Sequence, residues 1–452
     1  MNRFHAALGL TILALFGCVQ SNGANGIAPG APPVLPAAHS LFGGKIKHVV
    51  IIIQENRTVD NLFNGLPGAN TVRTGKNDLG QNVQLQQVSL TAPWDLSHRH
   101  IAWVADYRNG NMNGFNNENV HCYHHAKCPS HEVAAYGYVP QSEVQPYWDL
   151  AEQYTFANNT FQSNQGPSFP AHQYLVSGTS TIADGSQLRA SENAHDPRDR
   201  GKQGGCDSIK GTTVATIDSK GQQSQFVYPC FSRVSIMELM NNNRVSWSYY
   251  QANKGAGQWH AVDAVRGIWN SPSYKNVKWP SSRVLRDIAA GRLDQVTFIT
   301  PTGAESDHAA HNKGKGPAWV TSIVNAIGQS AYWKDTAIFV VWDDWGGWYD
   351  HVTPTVYNSY ELGFRVPLIV IGPYAKAGYI STRQHEFGSI LKFTEEVFNL
   401  GSLGTTDVRS DDLSDCFNFR RQPRPFKTIA AAPGARYFLN EPLDTQDIDD
   451  DF

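Results

Sequence analysis

Two uninterrupted apolar runs, each leading straight into acidic residues, constrain this chain more than anything else in it. The first is Lys47-His48-Val49-Val50-Ile51-Ile52-Ile53-Gln54, followed by Glu55-Asn56-Arg57. The second is Ala337-Ile338-Phe339-Val340-Val341-Trp342, followed by Asp343-Asp344 and then Trp345-Gly346-Gly347. A short apolar run without alternation reads as a strand covered on both faces, the habit of parallel sheets. Ligands of open α/β sheets gather beyond the carboxyl ends of such strands. Two ends of this kind would bring the carboxylates of Glu55, Asp343 and Asp344 and the amide of Asn56 into one crevice. Like charges held together need a cation. An all-oxygen donor set suits Ca²⁺, Mg²⁺ or Mn²⁺ better than Zn²⁺.

The rest of the chain keeps a strand–helix rhythm. Its patterns predict a helix over 146–154, a strand over 155–164 and a helix N-capped by Ser168 that continues through Val176. A helix over 235–243, strands at 245–251 and 293–300, a helix over 319–327, a strand over 366–371 and an amphipathic helix over 388–400 follow. This predicts an α/β fold: a mainly parallel central sheet covered by helices on both faces, with irregular loop insertions. Residues 57–145 are loop-rich, and 183–232 form a polar, Gly-rich insertion. The expected organisation is a catalytic domain over 45–400 and a polar extension over 401–452 that ends in an acidic stretch.

The N-terminus shows one basic residue, Arg3, and then an apolar segment from Ala6 to Gly17. That is a secretory signal, too short to span a bilayer. Leu15-Phe16-Gly17-Cys18 resembles a bacterial lipobox, whose Cys is acylated; a plain cleaved signal over 1–18 is the other reading. Residues 19–44 read as a flexible tether. Export permits disulfides, and local pairing of Cys122 with Cys128 and of Cys206 with Cys230 is the simplest arrangement, leaving Cys416 over. The crowded segment His121 to Cys128 could instead hold zinc, although it lacks the usual finger spacing. A net charge of −3 without a long basic stretch leaves no electrostatic footprint for nucleic acid. The 12 Trp, 18 Tyr and 21 Phe argue for a packed protein with an aromatic-lined cleft.

Four groups fall at or just past strand ends: Glu55-Asn56, Ser168, Asp307-His308 and Asp343-Asp344. Ser168 has the chemistry of a nucleophile, since a hydroxyl bound to a metal loses its proton more readily. At a helix N-terminus it would also face N–H groups that favour a phosphate. His98 and His308 titrate near working pH and suit the neutralisation or protonation of transferring oxygens. This combination describes phosphoryl or sulfuryl transfer. Ser-His-Asp acyl transfer is not indicated, because no Gly-x-Ser-x-Gly elbow surrounds Ser168. Taken singly, Asn56, Asp344 and Ser168 read as turn or cap residues, and His98, His100 and His308 as ordinary hydrogen-bonding residues. Their joint appearance is what carries weight.

The stretch His48 to Phe63, with Gln54-Glu55-Asn56-Arg57-Thr58-Val59-Asp60-Asn61-Leu62-Phe63, resembles the signature of the bacterial phosphoesterase family. That family groups non-haemolytic phospholipases C with secreted acid phosphatases. Gly166-Pro167-Ser168-Phe169-Pro170 resembles its nucleophile segment, and Asp343 to Val352 its late metal-binding segment. Arg365 to Ile371 and Gly388 to Phe393 resemble its closing strand and helix. The resemblance spans roughly residues 45–400. It implies an alkaline-phosphatase-like fold with a single metal held by Glu55, Asn56, Ser168, Asp343 and Asp344. It also implies a phosphoryl-enzyme at Ser168, with His98 and His308 near the phosphate. Ala171 stands where Asn is common, and His385-Glu386-Phe387-Gly388-Ser389 departs from the Asp-His-Thr-Ser form of the phospholipases.

The expectation is an exported, lipid-anchored, metal-dependent phosphoesterase acting through a phosphoserine. A phosphate-ester small molecule and a phospholipid head group compete as substrate. The membrane tether favours lipid, and the departure at 385–389 favours monoesters. A rival of another class is a catalytically silent cell-surface binding protein on the same fold. The intact set of Glu55, Asn56, Ser168, Asp343 and Asp344 speaks against it.

Overall fold

A computed structural model describes Phe42 and residues 44–123, 125–198 and 203–442. The expected signal, Cys18 and nearly all of the tether lie outside the described residues. Among the described residues no helix is long and apolar enough to cross a membrane.

The architecture is built on eight strands: β1 (His48–Gln54), β2 (Thr155–Phe161), β3 (Trp247–Tyr250), β4 (Val277–Lys278), β5 (Val296–Ile299), β6 (Thr336–Trp342), β7 (Leu368–Ile371) and β8 (Tyr379–Glu386). They form one sheet in the order β4-β3-β5-β1-β6-β7-β2-β8. All neighbours run parallel except β7, which is antiparallel to both β6 and β2. The two apolar runs are adjacent central strands. β1 and β6 pair from His48↔Thr336 to Gln54↔Trp342, and every side chain of β6 is buried. Their lack of polar alternation follows from helices lying on both faces.

Five helices position the parts discussed below: α1 (His100–Tyr107), α2 (Gln141–Gln153), α3 (Ser168–Ser177), α4 (Gly316–Gly328) and α5 (Phe387–Phe398). Four of them pack in two pairs, α2 with α4 and α3 with α5. Several boundaries differ from expectation. α2 begins at Gln141 and carries Pro146 just after a break at Val144. Ser168 is the first helical residue, and Pro167 occupies the cap position in extended conformation without a side-chain bond. β8 was not anticipated. It is an edge strand whose mid-section, Thr382 to Gln384, is exposed, so it lacks the apolar pattern of its inner neighbours. The insertion is less irregular than its composition indicates. Arg189–Ala190, Val214–Ile217 and Gln223–Val227 form a small antiparallel sheet within it.

Both local disulfides are present, Cys122–Cys128 and Cys206–Cys230, and Cys416 is a buried free thiol. The pairing replaces the zinc reading of residues 121–128, because Cys122 and Cys128 are spent on each other. Residues after 401 return to the body of the molecule. Leu413, Cys416, Phe417, Ile429 and Phe438 are buried in the main core, and Thr155 Oγ1 donates to the Cys416 carbonyl at 3.1 Å.

Candidate active site

The register of β1 against β6 places Gln54 beside Trp342, so the next residues of each strand leave the sheet together. Glu55 and Asn56 on one side and Asp343 and Asp344 on the other are all fully buried. The Asn56 N–H donates to Asp343 Oδ1 at 3.0 Å and joins the two strand ends. Asn56 adopts a left-handed conformation (φ 59°), which asparagine tolerates better than most residues. Gly346 is required opposite it, since a Cβ there would meet the Asn56 carbonyl oxygen at 2.5 Å.

α3 delivers Ser168 to the same place. Its Oγ donates towards Asp344 Oδ2 at 3.2 Å and lies 3.5 Å from Glu55 Oε2. One turn further along, His172 Nε2 donates to Glu55 Oε1 at 3.1 Å and lies 3.7 Å from Asp343 Oδ2. His172 was absent from the expected set. Its position four residues after Ser168 puts both on one helix face and was the signal available.

Charge is unbalanced here. Burial pushes the Asp343 carboxyl well above the usual carboxylate range, and the neighbouring Glu55 charge adds to it. Asp343 Oδ2 and Asn56 Oδ1 are buried oxygens that accept no hydrogen bond among the described residues. Oxygen acceptors left open within a cluster of carboxylates are the donor set of a hard cation. The residues present therefore fit a divalent metal, and Glu55, His172 and Asp343 each offer a ligand atom within 4.8 Å of the others.

The two expected histidines are seated differently. His98 Nδ1 donates to the Leu96 carbonyl at 2.8 Å, so Nε2 is the nitrogen that accepts from Asn56 Nδ2 at 3.2 Å. His98 thereby turns the Asn56 amide so that its oxygen is the open atom. His308 is fully buried, donates from Nδ1 to the Ala309 carbonyl at 2.8 Å, and lies with its ring centroid 5.7 Å from that of His98. The preceding Asp307 accepts from Tyr147 Oη (2.9 Å) and Trp342 Nε1 (3.1 Å). Burial pushes its carboxyl up to about 6 against the pull of Arg57. Arg57 is itself buried and donates to the carbonyls of Asp307 (2.8 Å) and Leu90 (2.9 Å) and to Asn61 Oδ1 (3.2 Å).

Asp350 and His351 support the turn. Asp350 takes Arg365 through both carboxylate oxygens at 3.0–3.1 Å, with both side chains fully buried. His351 Nδ1 bonds Asp60 Oδ2 at 2.6 Å, and Thr58 Oγ1 donates to the Tyr349 carbonyl at 2.8 Å. These contacts clasp the loop after β1 to the loop after β6.

A model of the Phosphoesterase family matches residues 46–401, and the chain belongs to that family, whose members hydrolyse phosphoric esters. Curated relatives include a hemolytic phospholipase C of Pseudomonas aeruginosa, 24% identical over 431 residues that make up 83% of this chain and 56% of the relative. Phospholipase C A of Mycobacterium tuberculosis is 25% identical over 455 residues, 86% of this chain and 80% of the relative. A non-hemolytic phospholipase C of Burkholderia pseudomallei is 23% identical over 86% of this chain and 62% of its own length. The chain thus spans little more than half of the Pseudomonas protein and most of the mycobacterial one. Among solved structures, that of Ps i-CgsB in complex with k-i-k-neocarrahexaose superposes with a TM-score of 0.41 at 11% identity, over 84% of this chain and 78% of its own.

Proposed function

We propose that this chain is a metal-dependent phosphoesterase that works through a phosphoserine at Ser168. The observation that carries the reading is the position of Ser168 Oγ, between the Glu55 and Asp344 carboxylates. Glu55, Asn56, Ser168, Asp343 and Asp344 would hold the ion, with His172 as a neighbour that fixes Glu55. A divalent cation there supplies charge neutralisation and lowers the pKa of the serine hydroxyl. Ser168 Oγ forms the bond to phosphorus and loses its proton to the carboxylate it already touches, while the ester oxygen departs from the far side. His308 supplies a proton to that oxygen, and water then attacks the phosphoserine and restores Ser168, releasing inorganic phosphate from a monoester or the phosphorylated head group from a phospholipid. His98 acts by holding Asn56. The intact carboxylate cluster weighs against the silent binding-protein reading.

The relatives' names favour a phospholipid phosphodiester as substrate. The segment at 385–389 gives no help to the monoester reading, since its charged residues are engaged elsewhere. Glu386 pairs with Arg409 at 2.7 Å and accepts from Ser163 Oγ at 2.9 Å, and His385 lies 3.1 Å from Asp411. The leader-like N-terminus and the two disulfides support export with a lipid anchor at Cys18. Hydrolysis of p-nitrophenyl phosphate against p-nitrophenylphosphorylcholine, with and without chelator, tests the whole reading. Chelator-sensitive cleavage of either ester, abolished in Ser168→Ala, is the expected result. Turnover that survives that substitution removes Ser168 as nucleophile, and chelator-insensitive turnover removes the metal.

A further inference from the structure

The insertion at 183–232 has no role in the chemistry above, yet it is fixed against the site with unusual care. Cys206 is bridged to Cys230, and its N–H donates to the Asp263 carbonyl at 2.8 Å. Asp207 Oδ1 accepts from Ala256 N at 2.8 Å. Ala194 and Gln258 clasp each other: Ala194 N–H donates to Gln258 Oε1 (3.0 Å), and Gln258 Nε2 donates to the Ala194 carbonyl (2.7 Å). The clasp brings the two chain neighbours, Asn193 and Trp259, into the same wall.

Each of these neighbours reaches the reaction centre by a separate contact. The N–H of Phe169, next to the nucleophile, donates to Asn193 Oδ1 at 2.8 Å. That bond settles the orientation of the amide: Oδ1 is the acceptor, so Nδ2 is the end left to donate. It also takes one of the helix N-terminal donors that the sequence had reserved for phosphate, and Asn193 offers its own amide instead. The Trp259 ring lies against His308, with centroids 6.0 Å apart. Asn193 is 7% exposed and Trp259 5% exposed. Asn193 Nδ2 and Trp259 Nε1 nonetheless make no hydrogen bond among the described residues. Buried donors are normally satisfied, and these two stand on residues that touch Phe169 and His308.

We propose that Asn193 Nδ2 and Trp259 Nε1 are substrate-binding donors that hold the non-bridging oxygens of the phosphoryl group during attack by Ser168. The insertion and the segment around Trp259 then form the recognition wall of the site, joined by the clasp of Ala194 and Gln258. Donors fixed in a dry site act on the charge that develops on those oxygens. The assignment rests on the reading of Ser168 as nucleophile.

Two substitutions remove the donors and keep the contacts that each residue makes with its neighbour. Trp259→Phe keeps an aromatic ring against His308, and Asn193→Asp keeps the acceptor for Phe169 N–H while replacing the donor by an oxygen. Two readouts apply to the full-length chain with its metal: kcat/KM on the cleaved p-nitrophenyl ester, and inorganic phosphate binding by calorimetry. Loss of one hydrogen bond to a charged group predicts a fall of roughly 10- to 100-fold in both for Trp259→Phe, and a larger one for Asn193→Asp, with metal content unchanged. Phosphate affinity within twofold of wild type in both variants overturns the proposal, as does a wild-type chain that binds no phosphate. Failure of the nucleophile reading looks different: Ser168→Ala would still turn over, whatever the two donor variants do.

Discussion

Replacing Asp343 by Asn should stabilise the metal-free protein and shrink the rise in stability that a divalent metal brings. The substitution keeps the acceptor that Asn56 N–H uses at 3.0 Å. It removes one charge from a pair, Glu55 and Asp343, that converge on the same His172 nitrogen at 3.1 and 3.7 Å. Two like charges about 5 Å apart repel by about 3 kcal/mol at an effective dielectric of about 20. In chelator, the variant therefore gains up to about 3 kcal/mol over wild type. With a divalent metal in excess that gain is cancelled. A site weakened a hundredfold forfeits about 2.7 kcal/mol of metal-linked stabilisation. Unfolding entropy for a chain of this length converts each kcal/mol into about 1 °C of Tm. Four melting curves, wild type and variant each with chelator and with metal, decide the matter. The variant should melt up to about 3 °C higher in chelator and within about 1 °C of wild type in metal. A variant that melts below wild type in chelator, or shows an equal metal-induced rise, refutes the idea that Asp343 is a charged ligand.

Further outcomes follow from contacts outside the ligand set. His172→Gln should weaken metal binding roughly 10- to 100-fold, as expected for a partner that orients a ligand, measured by competition with a chromophoric chelator. Asp350→Ala leaves the Arg365 guanidinium buried without its carboxylate and should cost about 3–5 kcal/mol, seen as a urea midpoint shift. Burial raises the carboxyl pKa of both Asp106 and Glu118, and that of Glu118 is pushed up to about 8. An acid raised in the folded state contributes stability that is fully present below its unfolded pKa and lost as pH rises through about 8. Stability should therefore fall between pH 5 and 8, and Glu118→Gln should flatten that fall; equal slopes in urea titrations at the two pH values would remove the pair as its source. Beyond Cys18, titration of the unfolded, unreduced protein should find one free thiol, that of Cys416.

The parts of the fold that were readable in the sequence are those where burial is two-sided. β1 and β6 announce themselves because every position must be apolar, and their acidic ends stand out by contrast. β8 did not, because Thr382, Arg383 and Gln384 sit on an exposed edge and carry no pattern. The antiparallel direction of β7 is a tertiary fact that no local signal encodes. Within the site, Glu55, Asn56, Ser168, Asp343 and Asp344 were visible as chemistry next to strand or helix ends, and the structure gathers them. His98 was visible as a histidine but not as the group that turns Asn56, since that depends on a ring 42 residues away in a loop. Asn193 and Trp259 lie in segments without periodicity, so the residue type alone gave nothing to follow.

The geometry also explains why so many charges can be buried around one serine. The ends of β1 and β6 are fixed by the sheet, but the loops after them would be free to move apart under the repulsion of their carboxylates. Arg365 on Asp60, His351 on Asp60 and Thr58 on the Tyr349 carbonyl tie those loops together at points remote from Ser168. Arg57 does the same on the other side, through the Asp307 and Leu90 carbonyls. The cost of holding like charges together is thus met by contacts that do not touch the reacting atoms, and Asp343 Oδ2 and Asn56 Oδ1 are held in place without a hydrogen bond of their own among the described residues. A site pre-formed in this way would take up a cation without reorganising, which is where electrostatic catalysis gains most. The same reasoning makes the clasp separable from the chemistry: loosening it should lower metal affinity and stability together, while removing Ser168 should leave both and abolish turnover.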